Sequence, residues 1–203
     1  MAKIDLARRA EIGREKRART RAQIVETAAV LLAERPPEAL TVDTIVEAAG
    51  VAKGTFYYHF QSIEELAAAV GGELRESFDQ LLSPARLELR DPIERLSFAF
   101  AQFLEKAISE TGWARLVVQS AGSLGPCLRA NLKADIAEAI AQGQVSVRDV
   151  ELAADIVIGI WLQVARGILE RGAGPELKPQ ALEAVLRALG ASREKHAKKL
   201  EVN

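Results

Sequence analysis

The sequence predicts an all-α protein, and three observations carry that expectation. Apolar residues recur every three to four positions in successive blocks along the 203-residue chain, the repeat of a helix with one buried face. Proline and glycine punctuate the blocks at Pro36-Pro37, Gly50, Ser83-Pro84, Asp91-Pro92 and Gly143, where backbone preference starts or stops a helix. The segment Thr41 to Phe60 reads as two short helices around a glycine turn, the pattern of a helix-turn-helix.

Taken in order, Ile24, Ala28, Leu31 and Leu32 form the stripe of a first helix, predicted from about Thr20 to before Pro36. A second helix follows Thr41, whose hydroxyl can cap it, with Asp43 in the first turn and Ile45, Ala48 and Ala49 at helical spacing. Gly50 ends it by taking a positive φ at no steric cost, and Val51 plugs the angle. A third helix from about Ala52 buries Phe56 and Phe60, four residues apart on one face. A longer fourth helix is predicted over about Ser62 to Leu82, with Ser83-Pro84 closing it.

Burial of Phe56 and Phe60 leaves the other faces of the third helix for a partner. Lys53 and Gly54 lie in its first turn, where a cation and a missing side chain suit close approach to bases. Thr55, Tyr57, Tyr58 and His59 add hydroxyl and imidazole donors at spacings that reach phosphates. Charge supports the same partner. Residues 1–21 hold eight cations, Lys3, Arg8, Arg9, Arg14, Lys16, Arg17, Arg19 and Arg21, against Asp5, Glu11 and Glu15, a net of +5. The full chain carries −1, so the remainder carries −6, and the basic charge is gathered at one end. This arm is read as mobile alone and ordered along a groove by DNA.

The pattern Thr41, Ile45, Ala48-Ala49-Gly50-Val51, Gly54-Thr55, Tyr57 and His59-Phe60, followed by Glu65-Leu66, resembles the helix-turn-helix of TetR-type transcriptional regulators. The resemblance implies that Thr41, Thr55, Tyr57 and His59 touch phosphates, while Val42, Lys53 and Gly54 face bases or lie beside them. Two positions depart from it: Ala52 stands where a serine is usual, and Ile63 where a lysine phosphate anchor is usual. The expected organisation is a basic arm over 1–19, an N-terminal three-helix DNA-binding domain over 20–66, and a C-terminal helical ligand-binding and dimerisation domain over 67–203.

Within that last part, Asp91-Pro92 caps a helix carrying Ile93, Leu96, Phe100, Phe103, Leu104 and Ala107. A short helix spans Trp113 to Gln119, and Leu128, Leu132, Ile136 and Ile140 mark another, closed by Gly143. Ser146 and Asp149 read as a capping pair for a helix reaching about Arg171, apolar nearly all round. The last helix, Pro179 to Leu189, places Leu182, Val185, Leu186 and Leu189 on one stripe, able to pack inside the subunit or against a second copy. The resemblance implies a homodimer built on these last two helices, holding two recognition helices about 34–36 Å apart on a double-stranded DNA operator. It also implies a small hydrophobic or amphipathic effector that releases DNA, for which Phe100, Phe103, Trp113, Val117 and Trp161 are candidate walls and Gln119 and Gln163 candidate polar handles.

Composition sets outer bounds. With 49% hydrophobic and 27% charged residues the chain can bury a substantial core. The start Met-Ala-Lys-Ile-Asp-Leu-Ala-Arg-Arg has no apolar core behind its charges, and the longest strongly apolar run, Ile156 to Leu162, falls short of a bilayer span of about 18 residues. A cytoplasmic protein without membrane partners is therefore expected, and the single Cys127 admits no intramolecular disulfide. Two histidines, His59 and His196, with no nucleophile motif, phosphate loop or metal-ligand set, give no expectation of catalysis, cofactor or metal. The alternative is a helical adaptor or ligand-binding dimer without specific DNA recognition.

Overall fold

The computed structural model describes residues 6–35, 37–120 and 126–191. Among them the regular structure is helical throughout: α1 (Leu6–Glu34), a 3-10 turn (Pro37–Ala39), α2 (Val42–Ala49), α3 (Lys53–His59), α4 (Ile63–Glu88), α5 (Pro92–Ser109), α6 (Thr111–Gln119), α7 (Pro126–Ala141), α8 (Val150–Arg171) and α9 (Leu177–Ala188). His196 and residues 1–5 lie outside the described residues.

Local chemistry accounts for the reading head. Thr41 caps α2, its Oγ1 accepting from the Thr44 N–H at 3.2 Å. Gly50 takes φ +64°, its N–H and that of Val51 closing onto the Glu47 and Val46 carbonyls. Gln23 of α1 holds the same helix end, its Nε2 donating to the Ala49 carbonyl at 2.7 Å. Ser62 caps α4 by accepting from Glu65 N–H, while the Glu65 carboxylate reaches back to the Gln61 N–H at 2.7 Å. Ile24, Val25, Ala28, Ile45, Phe56, Phe60, Leu66 and Val70 then form one core from α1 to α4.

A second core joins α5 to α9 with the latter part of α4, around Leu96, Phe100, Phe103, Trp113, Val157, Trp161 and Val185. The two cores meet at α4 and α6. Leu116 of α6 belongs to the first core, and Leu74 of α4 packs on both. The helices touch closely there: a Cβ at Gly71 would lie 1.7 Å from Ser120 Oγ. Beside that contact Arg75 is 2% exposed and donates to the Val117 carbonyl (2.9 Å), Ser120 Oγ (2.9 Å) and the Ser120 carbonyl (3.1 Å). It thereby satisfies carbonyls that the end of α6 leaves open.

Several boundaries differ from expectation. The first helix begins by Leu6 rather than near Thr20, so the described part of the arm is helical before any DNA is present. Its Ala, Arg, Glu and Lys residues favour helix intrinsically, a signal that apolar spacing does not report. α4 runs through Pro84 to Glu88. Proline removes one N–H bond to an exposed turn, while Leu82 before it and Arg86 beyond it are buried and Arg86 Nε faces Asp135 at 3.3 Å, so tertiary contacts hold the last turn. Asp149 alone caps α8, accepting from Glu151 and Leu152 N–H, whereas the Ser146 N–H donates to the Leu189 carbonyl at 3.0 Å.

The membrane expectation rested on too short a stretch. α8, with a mean hydropathy of 1.7 over an 18-residue stretch, is long and apolar enough to cross a bilayer by length and composition. Its Ala153, Ala154, Val157, Trp161, Ala165 and Ile168 are instead buried against the other helices of the second core.

Candidate nucleic-acid interface and internal cavity

The first three helices present one cationic, hydroxyl-rich face. Phe56 (0% exposed) anchors α3, which leaves Tyr57 at 53% and Tyr58 at 67% exposure, pointing away from the core. Thr41, Lys53 and Gly54 are exposed, and Val42, Thr55 and His59 half-buried. The start of α3 has no side-chain cap, as Ala52 leads one to expect. Ile63 packs on the first core, where a lysine would extend into solvent.

Lys53 is held at the surface by Asp43, with Nζ 2.8 Å from Oδ1, and that hydrogen bond and charge keep its ammonium above its ordinary pKa. So exposed a pair is readily exchanged for a phosphate. Arg21 ties α1 to α4 through Glu73 (2.9 Å) and lies over the Phe60 ring at 5.1 Å. Burial, and then the charges of Arg21 and Arg17, hold the His59 imidazole below its ordinary value.

Between α1 and α3 lies an open hollow of about 400 Å³, bounded by Gly13, Lys16, Arg17 and Thr20 on one side and Gly54, Thr55, Tyr58 and His59 on the other. The α1 residues were absent from the sequence-derived site. Their signal was present in the net charge of the arm, but which of its cations stand beside α3 depends on α1 being helical that far back.

The second core holds a partly open cavity of about 80 Å³. Its apolar wall includes Leu96, Phe100, Phe103, Val157, Trp161 and Leu162, and one side is polar: Arg75, Asp79 and Arg86 of α4, with Asn131 and Asp135 of α7. Asn131 Nδ2 donates to Asp79 Oδ2 at 2.7 Å, and Asp135 receives Arg95 Nε at 2.6 Å besides facing Arg86. Burial pushes the Asp79 carboxyl up despite Asn131 and Arg86.

Of the candidate effector residues, Phe100, Phe103 and Trp161 line this space. Trp113 stands behind them, its ring 6.0 Å from Phe103 and 6.2 Å from Trp161, and Val117 is in the surrounding core. Gln119 and Gln163 are exposed and are not among the lining residues. The polar residues that do line it went unnoticed although a signal existed: Gly71, Arg75, Asp79, Leu82 and Arg86 follow helical spacing, so two arginines and an aspartate fall on a buried stripe.

The dimer stripe also divides. Val185 and Leu189 are buried in the subunit at 0 and 1% exposure and have no surface for a second copy, while Leu182 and Leu186 are half-buried. On α8, Leu152, Ile156, Gly159, Ile160 and Gln163 form a stripe that the core leaves exposed or half-exposed. Among the described residues no group of three or more His, Cys, Asp or Glu side chains is placed to hold a metal ion.

A short helical bundle with an exposed second helix of a helix-turn-helix, joined to a larger helical bundle with a partly open pocket, defines a two-part helical architecture. Residues 24–70 match the family model of bacterial regulatory proteins, tetR family. The chain is 36% identical over 75 residues to the HTH-type transcriptional regulator TtgR of Pseudomonas putida, covering 37% of this chain and 36% of that protein. It is 35% identical over 88 residues to the HTH-type transcriptional repressor KstR2 of Mycobacterium tuberculosis, covering 42% of each. These matches thus span about two fifths or less of the relatives' length. The fold of RolR, solved in complex with resorcinol, superposes with a TM-score of 0.75 at 23% identity, over 89% of this chain and 92% of that one. Over residues 24–70 the chain is thus similar to the tetR family of bacterial regulatory proteins, and beyond them the likeness is one of fold.

Proposed function

We propose that this protein is a ligand-responsive transcriptional regulator, a repressor that binds a palindromic double-stranded operator as a homodimer and is released by a small effector in the second core. The single observation that carries the reading is the face of α3 turned from the core, with Gly54, Thr55 and Tyr58 beside Lys16 and Arg17 of α1 and Tyr57 exposed. Hydroxyl donors and cations on both sides of a hollow suit a phosphate backbone, and Lys53 and Gly54 at the head of α3 suit base edges. TtgR and KstR2 are named as regulators of transcription, and RolR holds resorcinol, in keeping with a small effector.

The dimer is formed by the exposed stripe of α8 with Leu182 and Leu186 of α9, and its two-fold axis sets the two reading heads one duplex turn apart. The domain division follows the two cores, with the arm as the beginning of α1. Effector binding favours one spacing of the heads and so changes operator affinity through differential binding to two states.

Selection of bound duplexes from a random pool tests the reading. The expected result is a two-fold-symmetric consensus with half-sites about 10 base pairs apart, bound with a steep loss of affinity as salt rises. No enrichment at low ionic strength overturns it.

A further inference from the structure

We propose, resting on the effector reading above, that the cavity takes an uncharged hydroxylated single-ring aromatic, its ring among Phe100, Phe103 and Trp161 and its hydroxyl between the Asp79 carboxylate and the Trp161 indole N–H. Size comes first. At about 10–15 Å³ for each water-sized centre, 80 Å³ holds roughly five to eight heavy atoms. Phenol and the benzenediols fall in that range.

Shape agrees with size. Phe103 and Trp161 meet edge to face with centroids 6.1 Å apart, and Phe78 and Trp113 extend the cluster behind them. Such a wall accepts one further ring in an offset or edge-on arrangement.

Polarity selects the hydroxyl. Trp161 is 8% exposed, and its buried Nε1 donates to no acceptor among the described residues. Buried indole N–H groups ordinarily have a partner, so an acceptor from a ligand meets a standing requirement. Asp79, 2% exposed, uses Oδ2 for Asn131 and retains acceptor capacity on its carboxylate. A phenol hydroxyl both donates and accepts and so serves both groups.

Charge disfavours the obvious competitor. A carboxylate ligand would lie beside Asp79 and Asp135, and the cations nearby already have carboxylate or carbonyl partners, although Arg86 Nε makes no hydrogen bond among the described residues. Arg75 donates to the end of α6, Arg86 faces Asp135, and Arg129 pairs with Glu151 (3.0 Å) and Asp155 (2.9 Å). Burying a further anion there costs desolvation and repulsion from both aspartates, against the gain of the Arg86 Nε donor.

The test uses the full chain and calorimetric titration at neutral pH with phenol and catechol, against toluene and benzoate. Phenol and catechol are expected to bind saturably, and toluene and benzoate at least about tenfold more weakly. Asp79→Asn weakens phenol about tenfold and leaves toluene unchanged. Trp161→Phe keeps an aromatic wall but removes the donor, and weakens phenol several-fold, which decides the matter should Asp79→Asn fail to fold by circular dichroism. Benzoate binding as tightly as phenol, or Trp161→Phe binding phenol like the parent, overturns the ligand class. Duplex binding is measured on the same samples: phenol binding lost with duplex binding intact overturns this inference alone, and absence of duplex binding overturns the regulator reading instead.

Discussion

Gly54 separates stability from recognition more cleanly than any other residue of the reading head. It lies inside α3, and a Cβ built there meets nothing within 4 Å. Gly54→Ala should therefore stabilise the fold by about 0.5–1 kcal/mol, since alanine favours helix, while weakening duplex binding if the α3 backbone approaches DNA. Urea unfolding and fluorescence anisotropy on one preparation check both signs. His59 gives a second residue-scale outcome. In the free protein its pKa is lowered, and a phosphate beside it would raise the value, so protonation accompanies binding. Affinity is then greatest at low pH and is lost as pH rises through the bound-state pKa. Between about pH 6 and 8 duplex affinity should fall several-fold, and His59→Ala should flatten the profile. The stability of the free chain runs the other way: a depressed histidine contributes above its unfolded pKa and loses that contribution as pH falls.

At the scale of elements, α4 and α6 are the parts that belong to both cores, and Arg75 joins them. Its guanidinium, lowered by burial to about 10, remains a cation at neutral pH and donates to three oxygens at the end of α6. Arg75→Met keeps much of the side-chain volume but removes the guanidinium donor from these oxygens, and should cost about 2–4 kcal/mol in urea unfolding. Because Arg75 also lines the cavity and Leu116 of α6 lies in the reading-head core, a shift of α6 changes contacts in both. Elements also show where sequence reading held and where it lapsed. The caps at Thr41 and Asp91 and the turn at Gly50 were legible because each is decided within a few residues. The extent of α4 was not, because its final turn depends on Asp135, far away in sequence.

For the molecule as a whole, the proposed second copy is the partner whose loss is most readily measured. The stripe Leu152, Ile156 and Ile160 leaves apolar surface on α8 that the subunit does not cover fully, with Leu152 at 54% exposure. Leu152→Arg combined with Ile156→Arg should yield a monomer by analytical ultracentrifugation and lower affinity for a symmetric duplex by at least about a hundredfold, since the second reading head then binds as an independent molecule. An unchanged dimer would place the interface elsewhere.

The sequence by itself determined the helical class, the helix-turn-helix with its α3 donors, and the presence of a basic arm. These follow from spacing, caps and charge that neighbouring residues supply. Tertiary structure decided which α1 cations stand beside α3, which apolar residues of α9 are core, and which polar side chains line the cavity. Val185 and Leu182 belong to the same stripe in sequence, yet only packing against α5 and α8 buries one fully and leaves the other at the margin. Asp79 and Asn131 become a pair only when α4 and α7 meet, because a helix fixes the direction of its side chains but not the neighbour that they reach.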